Sequence, residues 1–587
     1  MKPTRLAGTL GGLVAIGLAL AFAPRALAAD DPEAVARELL RDPPRSRTVA
    51  PRESPDYDGD QVLPPIPSAP APRAPLEGSA DRPDATVVLE GLRFEGNTVL
   101  SDEALREVAA PWLGPPLSAN DLEGLRDALT AAYVRAGYLT SGAVFPPQSF
   151  ASPAELIVQL VEGRLADVEI AGAERVDADY YASRIRRGLD GPPHVPTPEA
   201  RPRQLQRDPR LAGIHATIRP GEVRGEAILD VAVEERSLIS TAATVHNHLA
   251  PSLGEVRIGG AVMHRSLTGA GDSLLVGGDV SEAGGGIEVV YQRPLNASDT
   301  LAHAIGRYRR FDVSDGVGND PLDVESEYWA AEVGLYQPFR PDGRLGDWEF
   351  GLGLVGELAE SEITIFEDQD FPLPGAPKGR TRLATLRLVA DAVHRQPRQV
   401  VALRAVATVG LDAFGATRSD GDLPDARFWA WNAQIQAARR VTDHDIELIA
   451  GASAQLTSQR VFGLAQFSIG GPPGVRGYRQ NRIVRDEGVV GGLEARIPIW
   501  RDPIDGRPIV QLVPFFDGGR GFSRHLSSDN LRAESLASVG LGLRARLGDT
   551  LIGELHWAAP LLQDGPEDDL TTLQDDGIHF RISATWP

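Results

Sequence analysis

Apolar and polar residues alternate with a period of two in many short segments from about Ser237 to the C-terminus. One such segment has the following apolar face: Leu403, Ala405, Ala407, Val409 and Leu411. Its opposite face carries Arg404, Thr408 and Asp412. Similar alternation recurs near residues 446–455, 539–547 and 580–586. This period is typical of β-strands, whose successive side chains point to opposite faces, so we predict a β-rich C-terminal region.

The length and spacing of these segments favour one kind of β structure. Segments of about ten residues, separated by connections rich in Gly, Asp and Pro, are typical of an outer-membrane barrel that is apolar toward lipid and polar toward its lumen. At roughly 22 residues per strand plus connection, residues 237–587 would form about sixteen antiparallel strands. A soluble β-sandwich gives a similar alternation and remains the alternative at this point.

The preceding region mixes strand and helix patterns. Residues 84–163 read as strand, two helices and two strands, with Asn120–Ala136 as the longer helix. Residues 164–236 repeat the pattern in shorter form, with a helix at Ala178–Leu189 followed by two strands. We therefore predict two small α+β modules in tandem before the barrel.

The N-terminus has the features of an export signal. Met1–Ala29 contains a positive start, an apolar run and the small-x-small site Ala26-Leu27-Ala28, which predicts a cleaved signal peptide. Asp30–Arg41 reads as a short amphipathic helix, and the proline-dense residues 42–83 read as an extended linker. No later segment approaches the about 18 uninterrupted apolar residues that a membrane-spanning helix needs.

Composition and charge exclude several classes of function. The 587 residues carry 59 Lys plus Arg against 81 Asp plus Glu, a net charge of −22, which argues against a nucleic-acid partner. The absence of cysteine excludes disulfides, thiolate catalysis and cysteine-ligated zinc. We predict no metal and no cofactor.

Three short strings resemble enzyme motifs. Gly351–Gly356 matches GxGxxG, but it lies inside an alternating strand, where no helix follows to receive a phosphate. His246-Asn247-His248 spells HNH without a metal-site framework. Gly271–Leu274 spells GDSL, and with Asp576 and His579 it could supply a serine-hydrolase triad. An esterase is therefore the alternative from a different functional class, although its serine block would have to sit between strands.

Two motifs near the C-terminus resemble those of a known superfamily. Residues 467–478 (FSIGGPPGVRGY) resemble the GG…VRGY signature of the Omp85 and two-partner secretion transporters. Residues 515–519 (FFDGG) resemble the FxDxG pattern that follows it. Phe94–Thr98 (FEGNT) resembles the opening of a POTRA module, and Leu267–Asp272 (LTGAGD) resembles the first barrel hairpin.

The resemblance implies a fold and a function. It implies periplasmic POTRA 1 at 84–163, POTRA 2 at 164–236, and an outer-membrane β-barrel at 237–587 in a Gram-negative bacterium. The protein would be no enzyme: it would export an unfolded haemolysin- or adhesin-like exoprotein, which the POTRA sheets would bind by strand addition. The helix at 30–41 would be a plug of the pore. A second reading within the superfamily is an outer-membrane assembly or insertion factor, which usually carries more POTRA modules.

The resemblance also implies the functional residues. The loop near residues 463–482 would fold back into the barrel, and its Arg476 would pair with Asp517 in the lumen. The loop motif comprises Gly470, Gly471, Val475, Arg476, Gly477 and Tyr478, and the lumenal partner motif comprises Phe515, Asp517 and Gly519. Phe580 and Trp586 would form the C-terminal signal read by the barrel-assembly machinery. Periplasmic chaperones and outer-membrane lipid would be further partners.

Overall fold

The structure is a computed structural model. It describes residues 86–138, 140–148, 154–187, 205, 208–223, 225–317, 320–341, 347–365, 369–442, 444–504, 506–524, 533–548, 550–562 and 572–586. The signal peptide, helix and linker predicted for residues 1–83 lie outside these residues. The described chain forms two compact units, divided between Arg236 and Ser237.

The first part of the N-terminal unit is a four-stranded sheet with two helices. Its elements are β1 (Val87–Glu95), α1 (Asp102–Ala109), β2 (Pro116–Leu117), α2 (Ala119–Arg135), β3 (Gly142–Val144) and β4 (Ala154–Val161). The strand order is β2-β1-β4-β3, with β1 and β4 parallel. Ser101 and Ser118 cap the two helices by accepting from the backbone N–H groups of Ala104 and Asp121. Residues from both layers, including Leu105, Leu125 and Leu156, are fully buried between sheet and helices.

The second part of this unit repeats the arrangement in shorter form. Its elements are β5 (Arg164–Ala171), α3 (Ala178–Arg186), β6 (Leu211–Pro220) and β7 (Glu226–Glu235). The strand order is β5-β7-β6, and β5 runs parallel to β7. The predicted helix begins at Ala178 as expected and ends at Arg186, because Arg187 has a non-helical backbone (φ −57°, ψ 118°).

A carboxylate at the end of β4 fixes the loop that follows β1. Glu162 accepts hydrogen bonds from the N–H groups of Thr98 (2.7 Å) and Val99 (2.8 Å) and from the hydroxyl of Tyr133 (2.9 Å). Burial raises the pKa of Glu162, but the hydrogen bonds from Thr98, Val99 and Tyr133 outweigh burial and hold that pKa below its ordinary value. The ionised carboxylate therefore stabilises this loop.

The second part has the same hydrogen-bond arrangement at the end of β7. Glu235 accepts from the N–H groups of Arg175 (2.8 Å) and Val176 (3.1 Å) and from the hydroxyl of Tyr181 (3.2 Å). In both places a carboxylate from the last strand holds the loop after the first strand and a tyrosine of a helix. The two parts are thus related by a repeated hydrogen-bond pattern as well as by strand order.

We expect Glu162→Gln to loosen the loop at Thr98 and Val99. Hydrogen bonds to a charged group contribute about 1.5–3 kcal/mol, so the protection of these amides from hydrogen exchange should fall about tenfold or more at pH 7. Because the folded pKa is depressed, the stabilisation is present above the pKa of the unfolded carboxyl and is lost as pH falls through the folded pKa. Hydrogen exchange of the Thr98 and Val99 amides is measured in the full chain as a function of pH and corrected for intrinsic exchange rates. Their protection should fall with pH in the native protein and should not change with pH in the variant. Glu123→Gln, on the exposed face of α2, is the matched control; equal protection in both variants would contradict the role of Glu162.

The C-terminal unit is built almost entirely of antiparallel strands. They are β8 (Ile239–His246), β9 (Arg257–His264), β10 (Ser273–Ser281), β11 (Gly284–Pro294), β12 (Leu301–Val317), β13 (Asp320–Phe339), β14 (Trp348–Ile365), β15 (Gln369–Asp370), β16 (Arg380–Gln396), β17 (Gln399–Leu411), β18 (Trp429–Arg440), β19 (Glu447–Thr457), β20 (Phe467–Ile469), β21 (Ile483–Arg485), β22 (Glu487–Arg501), β23 (Pro508–Phe522), β24 (Ala533–Leu547), β25 (Leu551–Pro560) and β26 (Ile578–Trp586).

These strands close into a barrel. Neighbours along the chain pair with one another, β19 pairs with β22, and the last strand β26 pairs with the first, β8. Without the two-residue β15, which extends the edge of β14, the barrel has 16 strands, as the sequence predicts. β20 and β21 form a separate two-stranded sheet. A soluble β-sandwich is therefore excluded.

The barrel reverses the polarity of a soluble protein. On β17 the side chain of Arg404 is buried, whereas Leu403 and Val409 on the other face are exposed. Leu354 on β14 and Leu541 on β24 are likewise exposed. The apolar face thus points outward and the polar face inward, which is the arrangement that a hydrocarbon surrounding requires.

The inward charges are paired across the wall. Four arginine–carboxylate contacts are Arg307–Glu288 (2.8 Å), Arg387–Glu332 (2.6 Å), Arg404–Asp391 (2.6 Å) and Arg544–Glu554 (3.2 Å). Pairing offsets the desolvation cost that each of these buried charges would have alone.

One sequence prediction about the barrel is wrong. Leu267–Asp272 joins β9 to β10, so it is the second barrel connection and not the first hairpin. The first connection, residues 247–256, joins β8 to β9. The sequence signal identifies a tight turn, in which Thr268 N–H donates to the Asp272 carboxylate, but it does not count the strands before it.

In the described part of the chain, we find no helix of the length and apolarity needed to cross a membrane.

Candidate functional site

The segment between β19 and β22 folds into the barrel unit as a buried arm. We call residues 463–485 the arm; it contains the hairpin of β20 and β21. Its apolar side chains are almost fully buried and pack with barrel residues in one cluster: Phe467, Ile469, Val475, Tyr478, Ile483, Val490 and Leu536. A surface loop would not bury such a set, so the arm is part of the core of this unit.

Two glycines set the path of the arm after β20. Gly470 and Gly471 have φ values of +116° and +75°, a region that other residues rarely adopt. A Cβ on Gly470 would lie 2.6 Å from the carbonyl oxygen of Arg479, and one on Gly471 would meet the side chain of Gln480. The GG pair of the motif therefore allows the two sides of the arm to approach closely.

Arg476 binds two acidic residues of the barrel wall. Its Nε and Nη2 donate to the two carboxylate oxygens of Asp517 at 2.7 and 2.9 Å, and its backbone N–H donates to Asp517 at 3.2 Å. Its Nη1 donates to Glu494 at 2.9 Å. The guanidinium carbon lies 3.5 Å from the centre of the Phe515 ring. The planar guanidinium thus satisfies Asp517 on both oxygens and retains a donor for Glu494, which a lysine could not do.

The barrel side of this contact lies on two neighbouring strands. Asp517 and Phe515 have inward side chains on β23, and Glu494 lies on β22 opposite Phe515. A Cβ on Gly519 would approach Ile469 of the arm to 2.7 Å. The FxDxG spacing therefore supplies an aromatic face, a carboxylate and room for the arm along one side of one strand.

The remaining motif residues attach the arm to the last strands. Gly477 has φ +88°, and its N–H donates to Nε2 of His579 at 3.0 Å on β26. The hydroxyl of Tyr478 lies 2.9 Å from the carbonyl oxygen of Ala537 and 3.0 Å from that of Leu562. Val475 is fully buried. The structure therefore brings the two predicted motifs together in one site.

The predicted C-terminal signal residues lie apart from this site. Phe580 and Trp586 are both on β26, where Phe580 is half-buried and Trp586 is exposed. Trp586 pairs in register with Thr241 of β8. Their role in assembly remains a prediction, and Pro587 lies outside the described residues.

The triad that the GDSL string suggested is not formed. Ser273 begins β10 and His579 lies on β26, and β8 and β9 separate these strands. Nε2 of His579 accepts from the arm at Gly477. Among the described residues, no group of three or more His, Cys, Asp or Glu is placed to hold a metal ion.

Several residues at the site were not found from the sequence. Glu494 binds Arg476, Asp575 binds Arg479 at 2.5 Å, and Gln574 accepts from the Gln480 N–H at 2.7 Å. None belongs to either motif, and single acidic or amide residues carry no local pattern. Their only sequence signal is a polar residue at an inward strand position or beside β26.

Comparison with known proteins agrees with both halves of the chain. Residues 87–163 match the model of the ShlB-type POTRA domain. Residues 377–545 match the model of the haemolysin secretion/activation protein family ShlB/FhaC/HecB. The second match contains the arm, Glu494 and Asp517.

Individual relatives and solved structures extend this likeness. The chain is 24% identical to the outer membrane transporter CdiB of Escherichia coli, over 76% of this chain and 74% of the relative. It is 20% identical to CdiB of Dickeya dadantii, over 81% and 83%. The structure of CdiB from Escherichia coli covers 96% of this chain with a TM-score of 0.65 and 20% identity, over 100% of that chain. BamA from Haemophilus ducreyi lacking POTRA domains 1-3 covers 86% of this chain and 100% of its own, with a TM-score of 0.52 and 12% identity, and shares the fold.

Proposed function

We infer that this chain is a transporter of the ShlB/FhaC/HecB type within the Omp85 superfamily and that it is the outer-membrane translocator of a two-partner secretion system. It lies in the outer membrane, with its POTRA region in the periplasm. The observation that carries this conclusion is the arm within the closed barrel, held by Arg476 on Asp517. Its partner is an exoprotein of the two-partner type.

The periplasmic region supplies the surface that binds the exoprotein. We propose that residues 164–236 form a second POTRA module. Its β5–β7 pair is parallel, and Glu235 accepts hydrogen bonds from the loop after the first strand in the same way as Glu162 does in the first module. Among the described strands, β2 and β3 lie at the edges of the first sheet, and β5 and β6 lie at the edges of the second. An extended, unfolded client can add a strand to such an edge. The client class is a large haemolysin- or adhesin-like exoprotein.

The lumen of the barrel offers a path along which an extended polypeptide could pass. Its lumen is lined by charged groups in pairs, such as Arg387 with Glu332, so an extended chain would meet few uncompensated charges. The matched family model is that of haemolysin secretion/activation proteins, and the CdiB relatives are outer-membrane transporters. We propose further that the protein is not an enzyme, since Ser273 and His579 lie on separated strands.

Assembly of the barrel requires partners of its own. We propose that periplasmic chaperones deliver the chain and that the barrel-assembly machinery reads β26 through Phe580 and Trp586. Outer-membrane lipid then covers the outward apolar face, including Leu354 and Leu541.

The proposed function is tested by comparing the secreted proteins of a deletion strain with those of its parent. We expect the loss of a single large exoprotein, restored by the native gene. A broad loss of outer-membrane proteins would indicate an assembly factor instead, and an unchanged secreted fraction would contradict the function.

The predicted plug at residues 30–41 lies outside the described part of the chain and can be tested separately. Deletion of Asp30–Arg41 should raise the conductance of the purified protein in planar bilayers. Deletion of an equal length of linker within residues 42–83 is the control. Equal conductance of the two deletions would contradict a plug.

A further inference from the structure

Two strings that resemble enzyme motifs meet at the place where the barrel closes. His246-Asn247-His248 begins at the last residue of the first strand, β8, and Asp576–His579 runs into the start of the last strand, β26. β8 and β26 pair over six residue pairs, from Thr241 with Trp586 to His246 with Arg581. This is the shortest ladder between any two of the barrel's main strands in the described chain; β12 and β13 pair over seventeen. The closure therefore rests on few backbone hydrogen bonds.

Asn247 extends this short ladder with its side chain. Its Nδ2 donates to the carbonyl oxygen of Ile578 at 2.9 Å, and its Oδ1 accepts from the N–H of Phe580 at 2.8 Å. Its own backbone N–H donates to the carbonyl oxygen of Phe580 at 3.3 Å. The carboxamide thus takes the place of a further pair of backbone groups where the chain turns away from β8. Asn247 is fully buried, so water cannot replace these bonds.

Gln574 joins Asn247 to the arm. Its Nε2 donates to the carbonyl oxygens of Asn247 and Leu249, both at 2.6 Å, and its Oε1 accepts from the N–H of Gln480 at 2.7 Å. One fully buried carboxamide therefore contacts the start of the first barrel connection and the backbone of the arm.

His579 provides a second link between the arm and the last strand. Its Nε2 accepts from Gly477, so in the neutral ring the proton resides on Nδ1. A Cβ on Gly477 would lie 2.8 Å from the Cβ of Ala558, so the arm backbone packs directly against β25 at this point. Arg476, the adjacent residue, is the one held by Asp517.

We propose that Asn247, Gln574 and His579 form a clasp that holds β8 to β26 and makes closure of this junction dependent on the bound arm. Asn247 acts on the junction, and Gln574 and His579 transmit the position of the arm to it. Each is a positioning residue. By reciprocity, release of the arm opens the junction, and opening of the junction loosens the arm. The coupling requires no client, so it stands or falls independently of the exoprotein.

The absence of cysteine from the chain allows a direct test. Thr244 of β8 is buried in the junction, where its hydroxyl donates to the carbonyl oxygen of Ile582 at 3.1 Å. In purified full-length Thr244→Cys protein, the rate of reaction with a small thiol reagent measures opening. We expect Asn247→Leu and Gln574→Leu each to raise this rate at least tenfold. Arg476→Ala, which leaves the clasp residues intact, should raise the rate in the same way.

The combination of variants separates coupling from general damage. Asn247→Leu with Arg476→Ala should react no faster than the faster single variant, because both open the same junction. Arg404→Ala is the control; its guanidinium bonds to Asp391 between β16 and β17, away from the junction. An unchanged rate in Asn247→Leu would overturn the clasp. A rate in Arg476→Ala within twofold of the parent would overturn its dependence on the arm.

A cross-link gives the reverse measurement and covers the case in which Asn247→Leu does not fold. The side-chain oxygens of Thr244 and Ser583 lie 3.4 Å apart across the junction, so Thr244→Cys with Ser583→Cys can form a disulfide. Gln574→Ala should speed amide hydrogen exchange in residues 475–481 of the arm. When the two introduced cysteines are oxidised to the disulfide in this variant, that exchange should become slow again. Exchange that remains as fast after oxidation as before it would overturn the coupling.

Discussion

Arg476→Ala is expected to reduce secretion of the exoprotein at least tenfold while the barrel remains in the outer membrane. The substitution leaves Asp517 and Glu494 buried without their shared cation, and removal of one partner from a buried ion pair costs about 3–5 kcal/mol. That cost falls first on the contact between arm and wall, and the strand ladders other than the β8–β26 junction keep their hydrogen bonds. Secretion is measured as exoprotein in the medium relative to folded, heat-modifiable barrel in the outer membrane. Asp517→Asn should act in the same direction, and Arg476→Lys should retain part of the activity.

A matched ion pair elsewhere in the barrel controls for general damage. Arg404 binds Asp391 at 2.6 and 3.0 Å between β16 and β17 and is buried to the same extent as Arg476. Arg404→Ala should change secretion less than twofold at equal barrel level. Equal losses in both variants would mean that any buried ion pair suffices, and unchanged secretion in Arg476→Ala would contradict a role for the bound arm.

Leu354→Arg is expected to prevent stable insertion of the barrel. Leu354 lies near the middle of β14 with its side chain outward, in register with Leu335 on one side and Leu388 on the other. A charged residue on the lipid face costs about 2–4 kcal/mol at the bilayer midplane. The folded fraction in the outer membrane and the urea midpoint of the purified barrel should both fall.

The chain offers a depth control for this prediction. Phe339 is also exposed, but it ends β13 and lies near the barrel rim. Phe339→Arg should cost only about 0–1 kcal/mol because the penalty falls toward the interface. Equal losses from the two substitutions would show that the outward face is not immersed in hydrocarbon in the way proposed.

The sequence determined the elements of this protein because their signals are local. Alternation of period two identifies strands such as β17, and the apolar spacing of three to four residues within 120–136 identifies α2. Both site motifs are contiguous strings, so Arg476 and Asp517 were identified as partners through the resemblance. The number of strands followed from the length of residues 237–587 and a typical length per strand and connection. The position of LTGAGD in the strand count was wrong because a turn signal carries no information about what precedes it.

Only the tertiary structure decided which residues meet at the barrel junction. Asn247 and Gln574 are 327 positions apart, and neither belongs to a repeating pattern. They meet because closure of the barrel brings the first strand, β8, beside the last strand, β26. The arm then contacts Gln574 next to this junction. Strand register and the path of an inward loop depend on packing across the whole barrel. The local pattern therefore specifies strands and motifs, whereas closure specifies the contacts between them.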